Sequence, residues 1–194
     1  MKYTNLSSLA LATFILSSCN QAPDKNREQQ VVDNATVQDT HTSGSNNTAP
    51  EKFSFDAVIK DYLALKNALT ADDDKAAADA GKQLFSTLNA VDIKAIPGDK
   101  LKDYTEIADN AKENAEHIGA NAGKIDHQRE HLASLSKDMA DLIELMGTTQ
   151  KLYQNHCPMF NDGKGAVWIS ETKEIKNPYY GSKMTTCGSV QKEY

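Results

Sequence analysis

The sequence predicts a mainly α fold: a four-helix bundle with a small irregular C-terminal cap containing short β segments. Three observations predict it. Between residues 53 and 147, apolar side chains recur every three or four positions in four separate runs, the spacing that gathers them on one face of a helix. The breaks between these runs are short, which favours antiparallel neighbours. After Gly147 the helical period stops, and glycines, prolines and aromatics replace it. The segment from 53 to 194 is long enough for one modest domain.

Residues 1–18 have the form of an export signal. Lys2 supplies a short basic region, and Leu9 to Leu16 an apolar stretch too short to span a bilayer. The segment ends Leu16-Ser17-Ser18-Cys19, small residues before a cysteine, which resembles a bacterial lipobox. The expectation is therefore a lipoprotein, cleaved before Cys19 and lipidated on it. An ordinary signal peptide is the alternative. No other stretch is apolar for long enough to be a transmembrane helix, so the acyl chains would be the membrane anchor. The expected location is the cell envelope, periplasm-facing or on the outer membrane. Residues 19–52 are rich in Gln, Asn, Thr, Asp and Ser and nearly free of large apolar residues. Such a segment buries too little surface to offset its ordering entropy, and it reads as a tether. His41 within it reads as a solvated residue.

The four helical runs follow in order. Val58, Tyr62, Leu65 and Leu69 form the first face, with Ser54 as N-cap and Asp56 in the first turn. Thr70, with Asp73 three residues later, is expected to open the second, whose face is Ala77, Ala80, Leu84 and Leu88. Pro97-Gly98 breaks the chain. Leu101, Tyr104, Ala108, Ala111, Ala115 and Ile118 make the third face, a small-residue seam that would let a partner approach closely. Gly119 and Gly123 bracket the next break. Ile125, Gln128, Leu132, Leu135, Met139, Leu142 and Met146 make the fourth, ended by Gly147. Beyond it, 151–155 and Ala166 to Ser170 are the candidate short strands. Tyr153, Phe160, Trp168, Tyr179 and Tyr180 supply apolar mass.

The net charge is −6, which argues against nucleic acid as a partner and against electrostatic binding to anionic lipid. Asp72-Asp73-Asp74 lacks the alternating ligands, central glycine and distal glutamate of a calcium loop, and reads as an acidic helix N-terminus. His127 and His131 are four apart on one helix face, a spacing that can bind Zn(II) or Cu(II). The sequence His-Gln-Arg-Glu-His is not the metalloprotease signature, and a solvated face is the expectation. His117 suits the dipole at the end of the third helix. Arg129, just off the apolar seam, reads as a structural bridge to a carboxylate or to carbonyls of the cap.

The cap holds two sulfur pairs, Cys157-Pro158-Met159 and Met184-Thr185-Thr186-Cys187. Soft sulfur donors prefer soft metals, Cu(I) above all. Pro158 biases Cys157 to an extended conformation, and Gly188 leaves room for close backbone approach. Should the fold join the two segments, Cys157 and Cys187 would be the anchoring thiolates, Met159 and Met184 the supporting thioethers, and His156 an optional imidazole. The competing reading is a Cys157–Cys187 disulfide, at home in an oxidising exported space. It would close a loop of about 30 residues and contribute roughly 3 to 4 kcal/mol. His156 is poorly placed as a base for Cys157, because adjacent residues on an extended segment point oppositely. No phosphate loop, serine elbow or paired-carboxylate pattern appears, so the chain reads as no enzyme; a thiol oxidoreductase is the remaining catalytic alternative.

Four cap segments, Tyr153-Gln-Asn-His-Cys-Pro-Met159, Gly165-Ala-Val-Trp-Ile-Ser170, Glu174-Ile-Lys-Asn-Pro-Tyr-Tyr-Gly181 and Met184-Thr-Thr-Cys-Gly188, closely resemble the domain-of-unknown-function family 3347 (DUF3347). Tyr62-Leu-Ala-Leu-Lys-Asn-Ala-Leu69, Gln128-Arg129 and Leu135-Ser136 resemble it too, so the resemblance runs over about residues 53 to 192. It implies an exported protein of Bacteroidetes type. It also implies, by association, copper or a related metal, because such domains are found fused to adaptor subunits of heavy-metal efflux pumps. Heavy-metal efflux components are accordingly the expected partners, beside the membrane reached through Cys19. His156-Cys157-Pro158-Met159 is also similar to the Tyr-His-Cys-Pro-Met-His-Pro segment of heavy-metal-binding modules. Asn155 stands in place of its tyrosine and Phe160-Asn161 in place of its second His-Pro. The expected function is thus binding of Cu(I) for sequestration or delivery to efflux; the alternative is an interaction lipoprotein with a structural disulfide.

Overall fold

The computed structural model describes residues 54–194. The expected signal peptide, Cys19, the tether over 19–52 and Phe53 lie outside the described residues. Four helices come first: α1 (Asp56–Thr70), α2 (Asp74–Asn89), α3 (Leu101–Ala120) and α4 (Ile125–Met146). Three strands follow: β1 (Tyr153–Cys157), β2 (Ala166–Ser170) and β3 (Ser189–Glu193). They form one antiparallel sheet in the order β2-β1-β3. Each helix packs on the next, and the sheet lies against α4 through β2. The mainly α reading holds, but the cap is more regular than expected, and β1 begins at Tyr153 rather than at residue 151.

The predicted faces are the buried ones. Tyr62, Leu65, Leu69, Leu84, Leu88, Ile118, Leu132, Leu135 and Met139 fill one core with Trp168 and Ile169 of the sheet. Leu101 departs from its run and is exposed. At the start of α1, the Ser54 hydroxyl accepts the Asp56 N–H at 3.2 Å, with Phe55 as the boundary residue. Thr70 does not open α2. It closes α1, its hydroxyl donating to the Lys66 carbonyl, and Asp73 caps α2 by accepting the Ala76 N–H at 2.9 Å. Gly119 is likewise no break: it lies within α3, against α2.

The three consecutive aspartates divide their work. Asp73 caps α2, Asp74 accepts the Gly123 N–H from the α3–α4 turn at 2.6 Å, and Asp72 turns toward the cap. Asp72 adopts φ 58°. Its carboxylate accepts the Ser182 N–H at 2.9 Å and the Arg129 guanidinium at 2.5 Å. Hydrogen bonds from Ser182, then the Arg129 contact, hold this carboxyl down at about 2, against an ordinary 3.8. A depressed folded-state value means stability that is present above pH 4 and lost as pH falls toward 2. The Asp72 side chain is a third exposed, so screening leaves about 1 kcal/mol. Asp72→Asn should flatten the acid limb of the stability curve between pH 4 and 2, measured by urea midpoints; an unchanged limb would remove Asp72 from it.

Candidate functional site

The cap is positioned by hydrogen bonds to the bundle. The Tyr62 hydroxyl, buried, pairs with Ser136 of α4 at 2.7 Å and accepts the Ile169 N–H of β2 at 3.1 Å. Lys66, fully buried, reaches Glu171 just after β2 at 2.9 Å. Burial lowers the Lys66 pKa and Glu171 opposes the shift.

This scaffold brings the two cysteines together. Cys157 ends β1 and is buried, Cys187 precedes β3, and their sulfurs are 3.6 Å apart. A disulfide holds its sulfurs about 2.05 Å apart, so these are two free thiols. The Cys157–Cys187 bridge of the competing reading is not formed in this structure. The approach has identifiable causes. Asn177, fully buried, donates to the Cys187 carbonyl at 2.7 Å and accepts the Tyr179 N–H at 2.8 Å. Gly188 has φ 143°, and a Cβ there would meet the Trp168 ring and the His156 carbonyl, so only glycine lets this strand close onto β1. Burial, and then the neighbouring Cys157, push the Cys187 thiol up.

Metal–sulfur bonds of about 2.3 Å place two thiolates roughly 3.8 Å apart at a tetrahedral angle. The observed separation is within a few tenths of that, so the pair fits a shared metal with little movement. The same face of the sheet carries unused polar groups. Asn155 lies two residues before Cys157 and directly opposite Trp168; both amide atoms of Asn155 and the Trp168 indole N–H are buried without a partner. Of these, the Asn155 amide N–H and the Trp168 indole N–H are donors, the kind of group that tunes a charged sulfur.

The other expected ligands are less well gathered. Met184 is half-buried, and its carbonyl accepts the Cys187 N–H at 3.3 Å. Met159 is 53% exposed on the turn after β1, bordering a groove of about 550 Å³ with Arg129, Phe160 and Tyr180, a groove that neither cysteine lines. His156 lies on the opposite face of β1 from Cys157, packed against Gly165, as the alternation of a strand requires.

A second cluster lies on the bundle. His117 ends α3 and His127 and His131 begin α4. One potential ligand atom from each lies within 4.8 Å of the other two. The i, i+4 spacing pairs His127 with His131, and the fold adds His117 from the neighbouring helix. Burial first, then the charges of His117 and His127, lower the His131 pKa.

Among the described residues, no helix is long and apolar enough to cross a membrane. A family model described as a protein of unknown function, DUF3347, matches residues 58–151. The match thus runs from the first turn of α1 through α4 and leaves one residue before β1, so the sulfur residues lie beyond it. No curated protein matches the chain, and no solved structure does.

Proposed function

We propose that this chain, which belongs to the DUF3347 family through residues 58–151, is a non-catalytic, lipid-anchored envelope protein that binds one soft metal ion, Cu(I), for sequestration or delivery to efflux components. The observation that carries this reading is the pair of free thiols, Cys157 and Cys187, held 3.6 Å apart across 30 residues of chain. Two thiolates on one metal match Cu(I) in softness. Cys157 is shielded by the core, and the half-exposure of Cys187 leaves a route for the ion. Met184, in the same turn as Cys187, is the supporting thioether. Met159 and His156 are secondary, the one on an exposed turn and the other on the reverse of the strand. Localisation rests on the lipobox-like Leu16-Ser17-Ser18-Cys19.

The test is anaerobic native mass spectrometry of the reduced full chain with one equivalent of Cu(I) and a competing chelator. The expected result is a one-copper adduct that disappears in the Cys157→Ser, Cys187→Ser double variant, with helix content unchanged by circular dichroism. An adduct that survives the double variant, or none in the unsubstituted chain, overturns the proposal.

A second reading is favoured by the same separation. Two thiols this close are candidates for reversible oxidation to the disulfide, which would abolish thiolate binding. A two-hydrogen mass deficit in protein isolated from the envelope, together with no copper adduct after reduction, would favour a structural bridge over metal handling.

A further inference from the structure

From the geometry of the α3–α4 hairpin we infer a second metal site, built from His117, His127 and His131, that takes a borderline divalent ion, Zn(II) or Cu(II), through three imidazole nitrogens. It shares no residue with the thiol pair and does not rest on that reading.

Three observations carry it. The first is convergence. His117 comes from the last turn of α3, and His127 and His131 from the first turns of α4, so two antiparallel helices point three imidazoles at one volume. The His117 and His131 rings stack with centroids 4.6 Å apart, and His127 meets His131 edge-on at 4.7 Å. Ligand atoms within 4.8 Å of one another need to close to roughly 3.3 Å around an ion bonded at about 2.0–2.1 Å.

The second is the orientation of the rings. His127 Nδ1 lies 3.0 Å from a Glu130 carboxylate oxygen, and His131 Nδ1 lies 3.0 Å from the Asn114 amide oxygen. Both oxygens are acceptors, so each Nδ1 is the donor in these bonds, and in the neutral ring that leaves the Nε2 lone pair for a metal. This is the arrangement of metal-ligating histidines, whose second nitrogen donates to a carboxylate or carbonyl that fixes the tautomer.

The third is access. His117 is exposed and the other two are half-buried, so the site opens to solvent on one side. Three protein ligands with an open fourth position describe an exchangeable site rather than a closed structural one. Imidazole donors suit Zn(II) and Cu(II), whereas the thiol pair suits Cu(I). The two sites therefore divide metals by softness.

The test uses the full chain made thiol-free by Cys19→Ser, Cys157→Ser and Cys187→Ser, titrated with Zn(II) against a chromophoric chelator. One equivalent should bind with a micromolar or tighter dissociation constant. His117→Ala and His131→Ala should each weaken it at least tenfold. Glu130→Ala should weaken it about tenfold by removing the orienting hydrogen bond to His127. Because His117 is exposed, its variant should keep wild-type helix content, which circular dichroism checks. Cu(II) added instead should give an electron paramagnetic resonance spectrum split by imidazole nitrogen. Absence of saturable micromolar binding by either ion overturns the site. So does binding that His117→Ala leaves unchanged, even if His131→Ala weakens it.

Discussion

Arg129→Met should lower the stability of the folded region by about 3 kcal/mol, the lower end for removing one partner of a buried ion pair. The guanidinium is 3% exposed and joins three segments distant in sequence. Its Nε donates to the Pro178 carbonyl of the cap at 2.8 Å. One terminal nitrogen donates to the Leu69 carbonyl at 3.1 Å and to Asp72 at 2.5 Å, at the α1–α2 turn. Methionine keeps much of the packed volume but leaves the buried Pro178 carbonyl without its donor and strips one donor each from the Leu69 carbonyl and the Asp72 carboxylate, and that unmet desolvation dominates the loss. Asp72 still has Ser182 and partial solvent, which is why the lower end applies. Arg129→Lys keeps the charge but not the planar fork, so it should recover only part of the loss. Urea midpoints read the difference directly, and a 3 kcal/mol loss corresponds to a fall in Tm of about 6 to 12 °C. A loss below 1 kcal/mol would mean that the cap is held without this arginine. Gly181 belongs to the same joint: it has φ 53°, and a Cβ there would collide with the Asp72 carboxylate and the guanidinium.

Arg129 also illustrates what could be read in the sequence. A cation beside an apolar seam in the fourth run announced a structural bridge, because burial of arginine demands acceptors. Its partners were not legible, since Asp72 and Pro178 come from other segments. The helices were legible because each buries one stripe at the period of 3.6 residues. β3 was not. Ser-Val-Gln-Lys-Glu is an exposed edge strand with one half-buried side chain, so no apolar alternation marks it, and its charges suit a sheet edge. Lys66 was also hidden, since its burial depends on Glu171 more than 100 residues away.

At the candidate sites the division is similar. Two cysteines flanking an apolar cap suggested a meeting of thiols, and the fold brings them to 3.6 Å. Strand alternation separates His156 from Cys157, as the adjacency of the two already required. The histidine cluster needed one further step. His117 and His127 each lie five residues from Ala122, the middle of a tight helical hairpin. Residues equidistant from such a midpoint face each other across antiparallel helices, and this signal would have added His117 to the pair on α4.

Gly81→Ala should destabilise the protein, although helix propensity alone predicts the reverse. Alanine in a helix interior is favoured over glycine by about 0.8–1.0 kcal/mol, and Gly81 sits within α2. The opposing term is contact with α3. A Cβ on Gly81 would lie 2.9 Å from the Ala115 carbonyl oxygen and 2.9 Å from the Gly119 nitrogen, both backbone atoms. Backbone cannot swing aside as a side chain does, so the helices must separate along the seam of Ala77, Ala78, Ala111, Ala115 and Gly119, all buried. Overpacking of this kind costs about 1–3 kcal/mol, which exceeds the propensity gain, and Gly81→Leu should cost more than Gly81→Ala. Gly98 is the control: nothing lies within 4 Å of a Cβ there, and Gly98→Ala should be neutral or slightly stabilising through the unfolded chain. If Gly81→Ala raised the urea midpoint as well, α2 and α3 would not be in backbone contact. The small-residue seam would then be a consequence of composition rather than the reason the two helices pack so closely.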